Sequence, residues 1–332
     1  MYEQFFGLHD RPFELTPNPR YLLLTTRHKE ALGNLEYGIA AHRGLTVLTG
    51  EAGTGKTTLL RHALARAQAA RPDRPGVFLA ISNPTLARHE FIAYLAEAFG
   101  LSPQAALSKA RFLIELERVL IAYRRAGTPV ALVVDEAQSL PGELLEEIRL
   151  LANIETDTEK LLPLLLIGQP ELAVRLNEPG LRQLKQRIAL RCRLQPLDLA
   201  ETASYIATRI SIAGGTAAHL FTREAVRAVH ARSRGIPRLI NVICDNALMS
   251  GFALDCRPVG EDIIAEVGVD FDLPPDPALL TVVSTPPFAE PIAATDGEAA
   301  SAARPVEEPA PASRSVLGLS SMMRPRRFSF LR

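Results

Sequence analysis

A glycine-rich loop stands between a short apolar run and a helical pattern near the start of this chain. Residues Gly50 to Thr57 read Gly-Glu-Ala-Gly-Thr-Gly-Lys-Thr, directly after the apolar residues 45–49, and helical periodicity continues over residues 57–69. Glycines let the backbone turn tightly enough to direct successive N–H groups at phosphates, and the helix that follows adds its dipole. Because a strand before the loop and a helix after it are the context that this motif requires, the sequence predicts a phosphate-binding loop.

This loop predicts how a nucleoside triphosphate is bound. The Lys56 ammonium group can reach the β- and γ-phosphates, and the Thr57 hydroxyl can bind a Mg²⁺ ion. The rest of the loop and the next helical residue are expected to contribute mainly backbone donors; they are Gly50, Glu51, Ala52, Gly53, Thr54, Gly55 and Thr58. We therefore expect a nucleotide with Mg²⁺ as its cofactor.

A second apolar run ends in two acidic residues. Residues 131–136 read Ala-Leu-Val-Val-Asp-Glu. A buried parallel strand would place both carboxylates at the carboxyl edge of the sheet, where ligands of open α/β folds bind. Asp135 would hold Mg²⁺ directly or through water, and Glu136 would orient and deprotonate the attacking water. The acidic pair predicts hydrolysis of the nucleotide in addition to binding.

Three further polar residues are candidates for contacts with the triphosphate. Gln169 follows the apolar residues 164–167 and would face the γ-phosphate or the catalytic water, or else cap the helix that begins at Pro170. Arg238 begins a predicted helix and could reach the phosphates within the same subunit. Arg187 could project into a neighbouring subunit and stabilise the transition state there, a role for which Arg182, Arg191 and Arg193 are alternatives.

The alternation of patterns predicts the architecture. Strand-like runs occupy residues 45–49, 77–82, 130–134, 164–167 and 188–194, with helical patterns at 28–39, 57–69, 88–99, 109–125, 142–151 and 171–186. Such alternation predicts a parallel sheet covered by helices on both faces. After residue 198 only helical patterns follow, at 199–213, 222–234, 237–253 and 260–267. We expect a nucleotide-binding core over 1–198, with 1–40 as its N-terminal segment, and a small helical lid over 199–272.

From residue 273 the composition changes to Pro, Ala, Ser and Glu, which predicts a disordered tail over 273–332. Its final residues, 320–332, mix basic and aromatic side chains and would either dock on an acidic partner or a lipid surface, or remain solvated. Cys192, Cys244 and Cys256 lack metal-ligand spacing, so we expect small core residues in a reducing compartment.

The charge balance and the apolar runs exclude several classes of protein. Lys and Arg total 37 and Asp and Glu also total 37 in 332 residues, so no global field attracts nucleic acid, although a local basic face remains possible. The chain has neither a secretory signal pattern nor a run of about 18 apolar residues. We expect a cytoplasmic protein without a membrane span, either free or peripheral at the inner face of the membrane.

With these motifs the chain resembles the AAA+ ATPases of the general secretion pathway protein A (ExeA) type, which are related to pilus-biogenesis ATPases and grouped with Orc-like AAA+ proteins. The similar stretches run from Met1-Tyr2 through Pro12-Phe13 to Gly235-Ile-Pro-Arg238, covering about residues 1–270. The resemblance implies ATP, a P-loop NTPase fold with a five-stranded parallel sheet, and an Asp-Glu strand two places from the loop strand. It also implies that Gln169 is sensor 1, that Arg238 is sensor 2 and that residues 12–37 line the adenine.

Three functions agree with these residues. The first is an ATP-hydrolysing homo-oligomer that assists assembly in secretion, pilus or surface-polymer biogenesis. The second is an ATP-dependent DNA-binding regulator of the transposition type, with the arginine-rich residues 182–193 along the DNA. The third is a nucleotide-gated scaffold with negligible turnover. Secretion members of the family continue into a membrane span and a cell-wall-binding region, so with only a tail after the lid we do not expect direct anchoring in the envelope.

Overall fold

Five parallel strands form the central sheet of this computed structural model, which describes residues 1–15, 19–21, 23–82 and 86–280. The strands are β1 Leu45–Gly50, β2 Val77–Ile81, β3 Val130–Val134, β4 Leu164–Gly168 and β5 Ile188–Leu194, each within one residue of its predicted range. Their spatial order is β2-β3-β4-β1-β5, so β4 lies between the loop strand and the Asp-Glu strand. Strands β3 and β4 are buried throughout, whereas β5 alternates along one edge. The predicted fold class is confirmed.

Helices cover both faces of this sheet because successive strand residues point to opposite sides. On one face, Leu48, Val133 and Leu165 pack in a cluster with α2 and α3. On the other face, Val47 and Leu132 pack in a larger cluster with α4 to α9. The helices of the core are α2 Thr26–Ala40, α3 Lys56–Ala69, α4 Arg88–Ala98, α5 Pro103–Leu107, α6 Lys109–Ala126, α7 Gly142–Leu151, α8 Pro170–Arg175 and α9 Arg182–Lys185.

The single helix predicted over residues 171–186 is wrong. Helix α8 ends at Arg175, a 3-10 turn follows at Pro179–Leu181, and α9 begins at Arg182. Pro179 lacks an N–H group and its ring would clash with the carbonyl four residues earlier, so the helix cannot run through it. The break separates the residues that follow β4 from those that lead into β5.

The lid follows β5 and is built from helices alone. Helix α10 begins with a capping box, in which the Asp198 side chain accepts from the N–H of Glu201 and the Glu201 side chain accepts from the N–H of Asp198. The lid helices are α10 Leu199–Ile212, α11 Ala217–Leu220, α12 Arg223–Ser233, α13 Pro237–Ala253 and α14 Glu261–Asp270. They enclose a hydrophobic cluster of their own, separate from the clusters of the sheet.

The first residues of the chain pack with the lid. Helix α1, Tyr2–Phe6, was not predicted, and its residues Tyr2 and Phe6 are buried in the lid cluster together with Leu8 and Phe13. The Tyr2 hydroxyl donates a hydrogen bond to Asp245 on α13. The predicted division assigned residues 1–40 to the α/β core, but the described residues before Leu15 lie in the lid, and the core begins with α2.

Two other expectations differ from the structure. A short helix, α15 Pro277–Leu280, follows the lid, and the Asp276 N–H donates to the Ala231 carbonyl, so the predicted tail does not begin at residue 273. The remainder of that tail, residues 281–332, lies outside the described residues. Cys192 and Cys244 are buried as expected, but Cys256 is exposed because it lies in the turn after α13 and not on the apolar face of that helix.

None of the helices in the described ranges combines the length and the apolar character that a bilayer crossing requires.

Candidate functional site

A cavity lined by both the core and the lid lies at the carboxyl edge of the sheet. It is a cavity of about 490 Å³. The core contributes the phosphate-binding loop and Glu136, and the lid contributes Tyr205, Arg209 and Arg238. Residues of the N-terminal segment close the remaining side; they are Glu14, Leu15, Tyr21, Leu23 and His28. The cavity is therefore formed by segments that are far apart in the sequence.

The phosphate-binding loop has the conformation that its glycines allow. Gly53 and Gly55 have φ values of +82° and +92°, a region that other residues rarely adopt. Helix α3 begins at Lys56, so the N–H groups of its first turn have no carbonyl partner within the helix. These donors and the helix dipole favour an anion at this end of α3. Residues 52–58 all line the cavity.

Lys56 is held inside the loop by backbone carbonyls. Its Nζ donates to the Gly50 carbonyl at 2.8 Å and to the Glu51 carbonyl at 2.9 Å. Burial lowers the pKa of Lys56, and the nearby carboxylates of Glu136 and Asp135 oppose that shift. The predicted loop residues Gly50 and Glu51 thus act on the lysine, although they do not line the cavity.

The residues predicted to hold Mg²⁺ are in contact. The Thr57 hydroxyl donates to Asp135 Oδ2 at 2.9 Å, which joins the first turn of α3 to the end of β3. Hydroxyl and carboxylate oxygens are the ligands that Mg²⁺ prefers, together with water and phosphate oxygens. The donor set at this point of the sheet therefore fits the ion.

Glu136 adopts a left-handed backbone conformation at the mouth of the cavity. Its φ is +53°, which is unusual for a residue other than glycine. The Ser139 N–H donates to its carbonyl and closes a 3-10 turn over Ala137–Ser139. Such strained residues are frequent at functional sites. Glu136 lines the cavity together with the loop residues.

Gln169 lies beside Glu136. Its Nε2 donates to Glu136 Oε2 at 3.2 Å, and it occupies the residue before α8 without making a side-chain capping bond. Gln138 was not predicted and joins the same group: its Nε2 donates to Glu136 Oε2 at 2.6 Å, and its Oε1 accepts from the Gln169 N–H at 3.0 Å. The sequence signal for Gln138 was only a polar residue close to the acidic pair.

The structure brings one of the two predicted arginines to the cavity. The Arg238 N–H donates to the Gly53 carbonyl at 3.3 Å, and a Cβ on Gly53 would lie 2.7 Å from the Cβ of Arg238. The lid helix α13 thus starts directly against the loop. Arg187, before β5, is exposed and does not line the cavity. The same holds for the alternatives, of which Arg182 precedes β5 and Arg191 and Arg193 lie on it.

Two residues at the cavity were not singled out in the sequence, although His28 lies within the range 12–37 that was expected beside the adenine. His28, which is 7% exposed, contacts the Thr54 carbonyl through Nε2 at 3.4 Å and the Thr25 hydroxyl through Nδ1 at 2.8 Å. Arg209, also 7% exposed, donates to the Pro12 carbonyl and to the Tyr205 hydroxyl. Neither residue belongs to a sequence motif. Each reaches the cavity through contacts with residues far away in the chain, His28 with Thr54 and Arg209 with Pro12.

Comparison with known proteins agrees with this geometry. A family model described as AAA domain matches residues 39–176. The chain is 44% identical over 254 residues to general secretion pathway protein A of Aeromonas hydrophila, and the match covers 76% of this chain and 45% of that protein. The chain thus spans less than half the length of this relative.

Solved structures with the same fold are more distant in sequence. The Aeropyrum pernix ORC2 protein has a TM-score of 0.57 at 17% identity, over 78% of this chain and 71% of that one. Drosophila ORC bound to DNA has a TM-score of 0.57 at 19% identity, over 79% and 64% of the two chains. Cdc6p from Pyrobaculum aerophilum has a TM-score of 0.53 at 18% identity, over 75% and 67%. The chain therefore contains an AAA domain over residues 39–176, shares its fold with the Orc and Cdc6 proteins, and is similar to general secretion pathway protein A.

Proposed function

We propose that the chain binds ATP with Mg²⁺ in this cavity and hydrolyses it to ADP and phosphate. The observation that carries the proposal is the hydrogen bond from Thr57 to Asp135, with Glu136 next along the chain. This bond joins a hydroxyl and a carboxylate at the N-terminal end of α3, with a second carboxylate beside them, and so supports binding of Mg²⁺ and phosphates there. A fold that only bound nucleotide would not need the second carboxylate there.

Each residue of the site has a role in this proposal. The backbone donors of residues 52–58 and the Lys56 ammonium group bind the phosphates. Thr57 and Asp135 hold Mg²⁺, which when bound neutralises charge on the phosphate oxygens. Glu136 orients the attacking water and accepts its proton, with Gln169 beside it. These residues act without any covalent intermediate on the protein.

The arginines belong to the same proposal in different ways. Arg238 begins at the loop and would bind the phosphates from the lid of the same subunit. Arg187 is exposed and would act only on the cavity of a neighbouring copy, so turnover that rises with protein concentration is expected if the chain forms oligomers. The residues beside the adenine would be those of the N-terminal segment that line the cavity.

Replacement of the proposed base tests this function. Glu136→Gln should leave ATP affinity within about threefold and reduce turnover by about 10²- to 10⁴-fold, the usual contribution of a general base. Glu143→Gln, an exposed substitution on α7, serves as the matched control and should turn over like the wild type. ATP affinity is measured by calorimetry and turnover by phosphate release. Undiminished turnover in Glu136→Gln would refute the assignment.

We further propose that ATP turnover serves assembly in secretion or a related envelope process, on the basis of the identity to general secretion pathway protein A. The proposal applies to the matched part of that protein. Deletion of the gene for this chain, complemented by the wild type or by Glu136→Gln, tests it through the amount of exported protein. Normal export in the deletion strain would contradict the role.

One observation favours DNA as a partner in a second candidate function. Arg182, Arg187, Arg191 and Arg193 are all exposed next to or on the edge strand β5, and none of them forms an ion pair with another described residue. Phosphate contacts release counterions, so binding to DNA should weaken steeply as the salt concentration rises. In this candidate function, binding should also require ATP. Fluorescence anisotropy with labelled duplex DNA measures this. Absence of ATP-dependent binding at low salt would exclude the candidate.

A further inference from the structure

A small network of polar side chains surrounds Glu136. The Asp135–Glu136 motif does not explain this network. Two side-chain amides, those of Gln138 and Gln169, donate to the same carboxylate oxygen, Oε2, at 2.6 Å and 3.2 Å. Neither amide contacts Oε1. Both amides thus hold the carboxylate through the same oxygen.

Gln138 is the shared member of this network. Its Oε1 accepts from the backbone N–H of Gln169 at 3.0 Å, while its Nε2 donates to Glu136. The orientation of the amide follows from its partners, since a backbone N–H can only donate and a carboxylate can only accept. A reversed amide would lose both bonds. Gln138 therefore ties the acid at the end of β3 to the backbone at the end of β4.

The surroundings hold Gln138 in this place. A Cβ on Gly168 would lie 2.7 Å from Gln138 Oε1, so the last residue of β4 leaves the space that the amide occupies. Arg175 on α8 donates to the Gln138 carbonyl and, at 2.8 Å, to the Leu140 carbonyl. The backbone of the turn after Glu136 is therefore bound to Arg175 on α8, and the Gln138 side chain is bound to the backbone of Gln169.

We propose that Gln138 is a positioning residue, which holds the Glu136 carboxylate in the orientation that activates water. This inference rests on the proposed ATPase activity. Gln138 does not line the cavity, so it acts through Glu136 and not on the nucleotide. Without its donor, the carboxylate can rotate about its side-chain bonds toward other partners. Loss of an aligned geometry lowers the rate of the chemical step and leaves binding of the substrate nearly unchanged.

Two substitutions at Gln138 test the inference. Gln138→Asn shortens the side chain by one methylene, so its amide cannot keep both bonds at once, and Gln138→Met removes both bonds. Each should lower kcat about 10- to 100-fold, with KM for ATP within about threefold of the wild type. Gln104→Met, an exposed substitution on α5, is the matched control and should retain wild-type kcat. Circular dichroism and thermal unfolding show whether each variant is folded. If Gln138→Met is unfolded, the kinetics of Gln138→Asn decide the test.

The Glu136→Gln background separates positioning from a general structural effect. If Gln138 acts through Glu136, Gln138→Asn should change the residual single-turnover rate of Glu136→Gln by less than about twofold. An equal loss of rate in both backgrounds, a loss of ATP affinity, or a kcat within about twofold of the wild type would each overturn the inference. Wild-type turnover in Glu136→Gln alone would instead refute the proposed ATPase assignment, whatever the Gln138 variants do.

Discussion

Burial determines the protonation of single residues beside the phosphate-binding loop. His28 is buried against the loop, and burial lowers the pKa of its imidazole, while the bond to the Thr54 carbonyl and the charge of Glu201 oppose that shift. The Thr54 carbonyl can only accept, so Nε2 carries the proton and Nδ1 accepts from the Thr25 hydroxyl. A neutral histidine is thus built into the contact between α2 and the loop.

This histidine predicts a loss of stability at acidic pH. The unfolded chain protonates near pH 6.5, whereas folded His28 protonates at lower pH, so the unfolding free energy falls as pH drops below about 6.5. His28→Gln should make this decline shallower, by at most about 1.4 kcal/mol per pH unit. Urea unfolding between about pH 7 and pH 5 measures it. His42 and His230, whose pKa values are also lowered by burial, should sustain the rest of the decline.

The exposed His89 on α4 supplies the control for this experiment. His89→Gln removes no buried imidazole and should reproduce the wild-type decline. Identical pH dependence in His28→Gln and the wild type would show that this residue does not contribute.

At the scale of the elements, the turn between α12 and α13 leaves no space for a side chain at Gly235. Gly235 has a φ of +72°, and a Cβ added there would lie 1.9 Å from the Leu197 carbonyl oxygen. The Leu197 N–H also donates to the Gly235 carbonyl at 2.8 Å. The turn therefore packs backbone to backbone against the connection between β5 and α10, and it sets the start of α13, where Arg238 meets the loop.

Gly235→Ala should destabilise the protein by more than about 3 kcal/mol or prevent folding. The left-handed conformation alone costs about 1–3 kcal/mol for another residue, and the collision with backbone adds to it. Gly142→Ala is the matched control, because no atom lies near the added Cβ and its φ is not positive, so it should change stability by less than about 1 kcal/mol. Chemical denaturation measures both variants. A Gly235→Ala protein as stable as the wild type would contradict the packing described.

In the whole molecule, the N-terminal segment connects the lid to the core across the nucleotide cavity. Its first residues are buried in the lid, and α2 packs on the sheet. Arg209 on α10 contacts the residues between these two parts. It donates to the Pro12 and Glu14 carbonyls, and its guanidinium lies 4.7 Å from the centre of the Tyr21 ring. Movement of the lid is therefore expected to move Glu14, Leu15 and Tyr21, which line the cavity.

Arg209→Met should loosen these cavity-lining residues and lower nucleotide affinity. Loss of the buried donors leaves carbonyls unsatisfied, at about 1–3 kcal/mol each, so we expect about 2–4 kcal/mol less stability and about 10-fold weaker ATP binding. Hydrogen exchange of residues 12–21 and calorimetry with ATP measure the two effects. Arg227→Met, on the exposed face of α12, is the matched control and should change neither. Unchanged exchange in Arg209→Met would show that other contacts hold the segment.

Local patterns were sufficient for the strands, most helices, the phosphate-binding loop and the Asp135–Glu136 pair. Each depends on residues close together in the chain: apolar runs, helical periodicity, and glycines next to Lys56 and Thr57. The break at Pro179 was missed because the prediction followed the helical periodicity of residues 171–186. The proline itself, which ends helices, was visible in the sequence.

Contacts between distant segments required the tertiary structure. Arg209 meets Pro12, and Gln138 meets the backbone of Gln169, only after the lid and the strands are in place. Periodicity shows that a residue is buried but not which partner it finds there, which explains why α1 packing in the lid was not foreseen. The positions of the loop and of the acidic pair, at the ends of β1 and β3, thus follow from residues adjacent in the chain. The contacts around them arise from packing between distant segments, as between Arg209 and Pro12, which are 197 positions apart.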